Sequence, residues 1–375
     1  MSIAARRHHR AVDKLRRARG AFYWLNPSAQ SQAALEATLS DNWIAGLSVF
    51  CRMDDLLPTS ATAYDWSFFD KAFAAAVTVN KPVLLMVIHG GVGNGLPAWY
   101  TAGLPSDEMI TADGATFACF WSPTANARAE AMRQAIADRY GDHPLLYSMR
   151  ITTDWSTHGE PWFKGGAAGE IAWGDAWDAF RLRTGTPGLA GFVGAKQRYY
   201  DVHIPNLIAS YAAKFPRHVS LTIAAGDGLD DIVGAYPSTD VRRHPAQLQN
   251  CKDARALYGN RFVMQFNGVN ATTGASGYGQ YLPIAFGPAA DTNAATEPQR
   301  GSQGRIGSQP VGGVTSGAVP MTAAEFTTMI GNLTTDGYSY FECYGTDVRA
   351  AETGATSDGL AIRAALQSAR DNWAW

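Results

Sequence analysis

No stretch of this 375-residue chain approaches the roughly 20 apolar residues that a bilayer-spanning helix needs, and the N-terminus lacks the apolar core of a signal peptide. We therefore expect a soluble protein made in the cytoplasm without Sec export. Cysteine is scarce: Cys51, Cys119, Cys251 and Cys343 are too far apart for a CxxC metal knuckle, and four in so long a chain do not make a disulfide scaffold. Free thiols are expected. Charge is also sparse at 17% of residues, whereas 46% are hydrophobic and 11% aromatic, so disorder and coiled coil are excluded in favour of a large core. There is no P-loop and no G-x-S-x-G elbow. The run from Gly90 to Gly95 does not match G-x-G-x-x-G and leads to Pro97 rather than to a helix cap, which excludes dinucleotide binding. His158 and Glu160 have H-x-E spacing, but no P-C-x-x-C of a zinc deaminase follows. We expect neither metal nor cofactor.

The net charge of −2 hides an uneven distribution. Residues 1–20 carry Arg6, Arg7, Arg10, Lys14, Arg16, Arg17 and Arg19 against Asp13 alone, a basic arm on an acidic body. A helix there would have only a thin apolar stripe of Ile3, Val12, Leu15 and Ala18 and would be marginal in water. Three readings stay open: a mobile tail, a segment that docks on an acidic protein partner, or an anchor to nucleic acid or anionic membrane.

From Ala21 onward, short β-branched and aromatic runs alternate with stretches of helical period, the signature of a parallel sheet with crossover helices. Eight strands are expected, over 21–25, 46–52, 82–89, 145–152, 219–225, 261–267, 306–311 and 338–344. The seventh is the weakest because Gly and Pro sit inside it. Helices are expected over 28–39, with a cap at Ser28, over 66–79 after Asp65, over 124–140, and over 322–333, where Thr322 and Glu325 have capping-box spacing. Eight such units at this length give a (β/α)₈ TIM barrel over 21–375, with an open doubly wound sheet as the alternative. Long loops follow strands four and six, at 154–192 and 268–320.

The residues at or just past the strand ends are Trp24, Arg52, His89, Asp154, Trp155, Glu160, Asn267, Gln309, Glu342 and Tyr344. Carboxylates, amides and aromatic rings at one rim suit a sugar, whose flat faces lie on indole or phenol while its hydroxyls take polar partners. The segments AFYWLN, GLSVFCRMDDLLPT, YDWSFFDKAFAAAVTVNKPVLLMVIHGG and LPAWY resemble the first three units of clan A glycoside hydrolases, the retaining cellulase and β-galactosidase-like barrels. The resemblance covers about 140 residues. It implies a two-carboxylate mechanism, with Glu160 after strand four as acid/base, although Gly159 stands where the family has Asn and Asp154 is the alternate. The family's nucleophile is a Glu at the end of strand seven. Here that strand ends near Gln309, and Glu342 on strand eight is the nearest Glu to serve.

Each residue has a plainer counterpart. Glu160 is then a solvated acid, Glu342 a buried acid paired with Arg52 or Arg150, and His89 a ring that satisfies a backbone carbonyl. Trp155 and Trp162 suit sugar platforms, whereas Trp43, Trp66 and Trp177 at helical positions suit the core. Two functions result. One is a retaining glycoside hydrolase acting on a cell-surface polysaccharide. The other is a non-catalytic structural or glycan-binding barrel within a phage tail, virion or other large assembly, attached through the arm.

Overall fold

The computed structural model describes residues 20–25, 30–112, 114–152, 166–216, 218–224, 245–269, 306–310, 313–314, 321–335 and 338–373. The basic arm, Asp154, Trp155, His158, Glu160, Trp162 and most of the second expected loop lie outside the described residues, whereas the first expected loop, 154–192, is shorter than expected: from Gly166 to Thr184 it is a 19-residue helix. Eight strands form the centre: β1 (Gly20–Leu25), β2 (Ile44–Arg52), β3 (Val83–Ile88), β4 (Leu146–Ile151), β5 (His218–Ala224), β6 (Phe262–Val269), β7 (Ile306–Pro310) and β8 (Tyr340–Tyr344). Each pairs in parallel with two neighbours, and β1 pairs with both β8 and β2, so the ring closes as a barrel. The weak seventh strand does form. Its ladder with β8 covers only Gly307 and Ser308, and it ends at Pro310, which has no N–H to continue it.

Helices pack outside this ring. Helix α1 (Gln32–Ser40) is capped not by Ser28 but by Ser31, whose Oγ accepts from the Ala34 N–H (3.2 Å). Helix α2 (Ser67–Val79) starts where Asp65 accepts from the Ser67 N–H (2.9 Å) and ends at Asn80 in the left-handed region (φ 56°). Helix α3 (Pro123–Tyr140) has proline in its first turn and Ser122 as its cap. Helices α4 (Gly166–Thr184) and α5 (Ile204–Lys214) follow β4, and α6 (Ala323–Thr335) carries the expected capping box: Glu325 accepts from the Thr322 N–H (2.7 Å) and Thr322 from the Glu325 N–H (3.2 Å). Trp43 and Trp177 are buried and Trp66 packs against the same core. All four cysteines are free and buried. Among the described residues no helix is long and apolar enough to cross a membrane.

One unit between β3 and α3 has no counterpart in the sequence expectations. Met109–Ala112 and Ala115–Ala118 form an antiparallel hairpin. It is tied to the end of α4 by Arg183, which donates to both oxygens of Asp107 (2.7 and 3.0 Å) and to Glu108 (2.7 Å), while Ser122 Oγ donates to the other Glu108 oxygen (2.6 Å).

The barrel interior is built in two chemically distinct levels. Its floor is apolar: Phe22, Leu84, Tyr147, Val263 and Tyr340 form one cluster, with the three rings 5.3–5.6 Å apart. Two glycines make room for them, since a Cβ at Gly46 would run into the Phe22 ring and one at Gly307 into that of Tyr340. A register shift in the β3–β4 ladder pairs Val83 with Leu146 but Leu84 with Ser148, so Tyr147 is an extra, bulged residue that reaches the floor.

Candidate functional site

Above the floor the interior turns polar, because alternation along each strand brings the next inward residue to the next level. Glu342, two residues above Tyr340, is fully buried. Ser48 Oγ donates to its Oε1 (2.5 Å), and Gln265 Nε2 (2.7 Å) and Arg150 Nη2 both donate to Oε2. Tyr340 supports the arrangement by donating to Gln265 Oε1 (3.0 Å), and Arg150 Nη1 reaches Met86 Sδ (3.1 Å). The Arg150 and Glu342 side chains are 1% and 0% exposed, so this ion pair is dry, and only the additional donors offset the cost of taking both charges out of water.

Of the two cations expected to meet Glu342, Arg150 does so and Arg52 does not. Arg52 is 38% exposed at the end of β2 and holds Asp54 through Nε (3.0 Å) and Nη2 (2.7 Å). Asp54 in turn accepts from the Gly95 N–H (3.3 Å), which fixes the loop after β3. That loop needs glycine at 95, where φ is +106° and a Cβ would strike the His89 carbonyl oxygen. His89 itself follows β3 directly and is buried.

The C-terminal rim is aromatic. Trp24 on β1 lies against Phe50 of β2 (centroids 4.8 Å, 32°) and Tyr344 of β8 (5.2 Å, 73°). Its indole Nε1 is buried and finds no hydrogen-bond partner among the described residues. Trp24, Arg52, His89 and Tyr344 thus share one end of the barrel, as expected. Glu342 departs from that expectation: it lies a level below, at mid-strand, sealed under the rim. Asn267 and Gln309 are register partners on β6 and β7, but their side chains lie outside what is described. The proposed acid/base Glu160 and the alternate Asp154 lie in 153–165, also outside.

Electrostatics at the rim are acidic near β2. The Asp55 carboxyl is raised above its ordinary value by burial and by Asp54, against the opposing pull of Arg52. Burial, and then Asp55 and Asp54, push the Cys51 thiol well up, and burial with Asp347 does the same to Cys343, so neither thiol is a ready nucleophile. Asp347 is buried in the first turn of a further helix, α7 (Gly345–Thr353), and accepts from the Val314 N–H (3.2 Å), anchoring the loop after β7. Sequence reasoning overlooked Ser48, Phe50, Gln265 and Tyr340. The available signal was a polar residue at an inward position of an otherwise apolar strand, such as Gln265 in RFVMQFN.

No family model matches the chain, and no curated protein sequence does. Among solved structures it is similar to the catalytic domain of beta-amylase from Paenibacillus polymyxa, with a TM-score of 0.64 at 13% identity, over 94% of this chain and 98% of that one. At that identity the likeness is one of fold: this chain shares a closed-barrel architecture with that domain.

Proposed function

We propose that this chain is a glycoside hydrolase-like barrel that receives a cell-surface polysaccharide across its C-terminal mouth. The observation that carries the reading is the charged level around Glu342, directly beneath the aromatic rim of Trp24, Phe50 and Tyr344. A purely structural barrel would fill that level with apolar side chains, because dry charge is expensive. In the hydrolytic scheme Glu160 protonates the leaving oxygen and Glu342 is the second carboxylate, while Trp24, Arg52, His89, Asp154, Trp155, Asn267, Gln309 and Tyr344 bind the sugar. The test is reducing-end release from a panel of cell-surface polysaccharides, beside binding by calorimetry. We expect Glu160→Gln to keep binding and lose a factor of about 10²–10⁴ in release. Neither release nor binding by the wild-type protein would reject the proposal.

A second reading is favoured by one specific feature, the complete burial of Glu342 with both oxygens engaged. A carboxylate so enclosed must be uncovered before it can touch an anomeric carbon. On this reading the pair is structural, and the barrel binds glycan without cleaving it inside a larger assembly, held there by an acidic partner of the arm. Binding without release, unchanged by Glu160→Gln, is its expected signature.

A further inference from the structure

The glycine-rich run that follows β3 folds as a tight turn. The Gly91 carbonyl accepts from the Asn94 N–H (2.8 Å), and Gly93 and Gly95 have φ of +79° and +106°. A Cβ at Gly91 would collide with Ala115 of the hairpin. At the tip of the turn Asn94 is exposed, and no hydrogen bond ties its side-chain amide to the described residues. The next residue, Gly95, donates its N–H to Asp54 Oδ2 at 3.3 Å, beyond the usual range of such a bond. An unrestrained carboxamide thus stands beside a weakly held backbone nitrogen that carries no side chain to shield it.

The same dipeptide occurs once more, at Asn267 and Gly268. There the setting is the barrel wall: Asn267 is paired with Ala224 of β5 on one side and Gln309 of β7 on the other. Closing a ring between the glycine nitrogen and the asparagine carboxamide carbon requires that nitrogen to swing to the Cβ side of the asparagine. An extended strand holds it on the far side, and ladders on both flanks keep it there.

We propose that Asn94 is a site of spontaneous covalent modification, converted through a succinimide to aspartate and isoaspartate, and that the fold protects Asn267 from the same reaction. The Gly95 nitrogen bonds to Asn94 Cγ, the Cγ–Nδ2 bond breaks, and ammonia leaves with the proton of the Gly95 N–H. Water then adds to either ring carbonyl. Opening at Cγ gives aspartate, and opening at the main-chain carbonyl gives isoaspartate, whose backbone is one carbon longer. Both products add a carboxylate to the residue preceding the amide that Asp54 holds. The longer backbone of isoaspartate also draws that amide away from Asp54, and so loosens the tie between the loop and the Arg52–Asp54 pair. The reaction is independent of what the barrel does with carbohydrate.

The test is peptide mapping by mass spectrometry of the full wild-type chain, incubated at mildly alkaline pH either folded or in urea. In the folded protein the peptide holding residue 94 is expected to gain acid and isoaspartate forms, and hydroxylamine to cut the chain between residues 94 and 95. The peptide holding residue 267 should convert more than about tenfold more slowly, because a core strand opens only with the whole fold whereas a surface turn opens at little cost. In urea the two should convert at comparable rates, and Asn94→Ser should abolish the hydroxylamine cut. The proposal is overturned if residue 94 stays intact in the folded protein over a time that converts it in urea, or if residue 267 keeps pace with it in the folded chain. The wild-type protein alone decides both results, so the folding of a variant does not enter.

Discussion

Glu342 takes its three hydrogen bonds from three different strands: Ser48 on β2, Arg150 on β4 and Gln265 on β6. That arrangement makes a sharp prediction about charge. Glu342→Gln removes the anion and leaves the Arg150 cation dry and unmatched, which should cost about 3 kcal/mol in a urea titration with little change in slope. Adding Arg150→Met should recover most of the loss, because an apolar pair of similar volume does not need desolvated charge. A Glu342→Gln protein that unfolds at the wild-type midpoint would show that the pair contributes no net stability. Part of this site could be read from sequence. A Glu inside YSYFECY and an Arg inside LLYSMRIT are charges in buried strands, and an ion pair between them was one of two partner choices. The Tyr147 bulge was not legible, since a register shift is a relation between two strands and leaves no mark on either one alone.

At the scale of elements, side-chain clamps fix the outer layer. Glu130 on α3 accepts from Arg133 on its own helix and from Ser210 and Lys214 on α5. Burial works to raise its carboxyl, but the hydrogen bonds from Lys214, Ser210 and Arg133 win and hold it down from 4.5 to about 2. The folded value is the lower one, so the contribution is fully present above the ordinary carboxylate range and is lost as pH falls from about 4.5 toward 2. At 43% side-chain exposure the effect is modest. Glu130→Gln should lower the neutral plateau by the modest amount the clamp contributes and flatten the profile over that acid window, so that the two proteins converge toward pH 2, as read by thermal melts across pH.

A second clamp predicts a local effect. Arg183→Ala strands the nearly buried carboxylates of Asp107 and Glu108, and should lower stability locally, with the effect tempered because Arg183 is itself half exposed. Amide exchange should quicken most in 109–118. Unchanged protection there would mean that the hairpin is held by its apolar contacts instead. Two helix starts governed by short-range chemistry were legible, at Asp65 and at the Thr322–Glu325 box, each acting within three residues of its partner, whereas the expected cap at Ser28 falls instead at Ser31 and the cap at Ser122 was missed. The hairpin was not legible, because its strands are four residues each and their anchor lies more than seventy positions away in sequence.

At the scale of the whole molecule, the barrel strands were legible because a parallel strand covered on both faces reads as a nearly continuous apolar run, as VLLMVI does in β3. Closure was an inference from number and length, since the contact that closes the ring joins β1 to β8 across the entire chain. That same contact frames a prediction about the basic arm. Gly20 opens β1, is register partner to Tyr340, and donates its N–H to the Ser339 carbonyl (3.1 Å). A deletion ending at residue 19 therefore removes seven cations and one acid without taking a rung from the ladder. The thermal midpoint should be unchanged, whereas a deletion through Leu25 should prevent folding by opening the barrel. If the arm docks on an acidic partner, the shorter deletion abolishes association, and added salt weakens it in the intact chain, because exposed charges are screened beyond about 8 Å at physiological ionic strength. Sedimentation of the mixture across a salt series separates the cases: association that survives both the deletion and high salt removes the arm from any account of assembly.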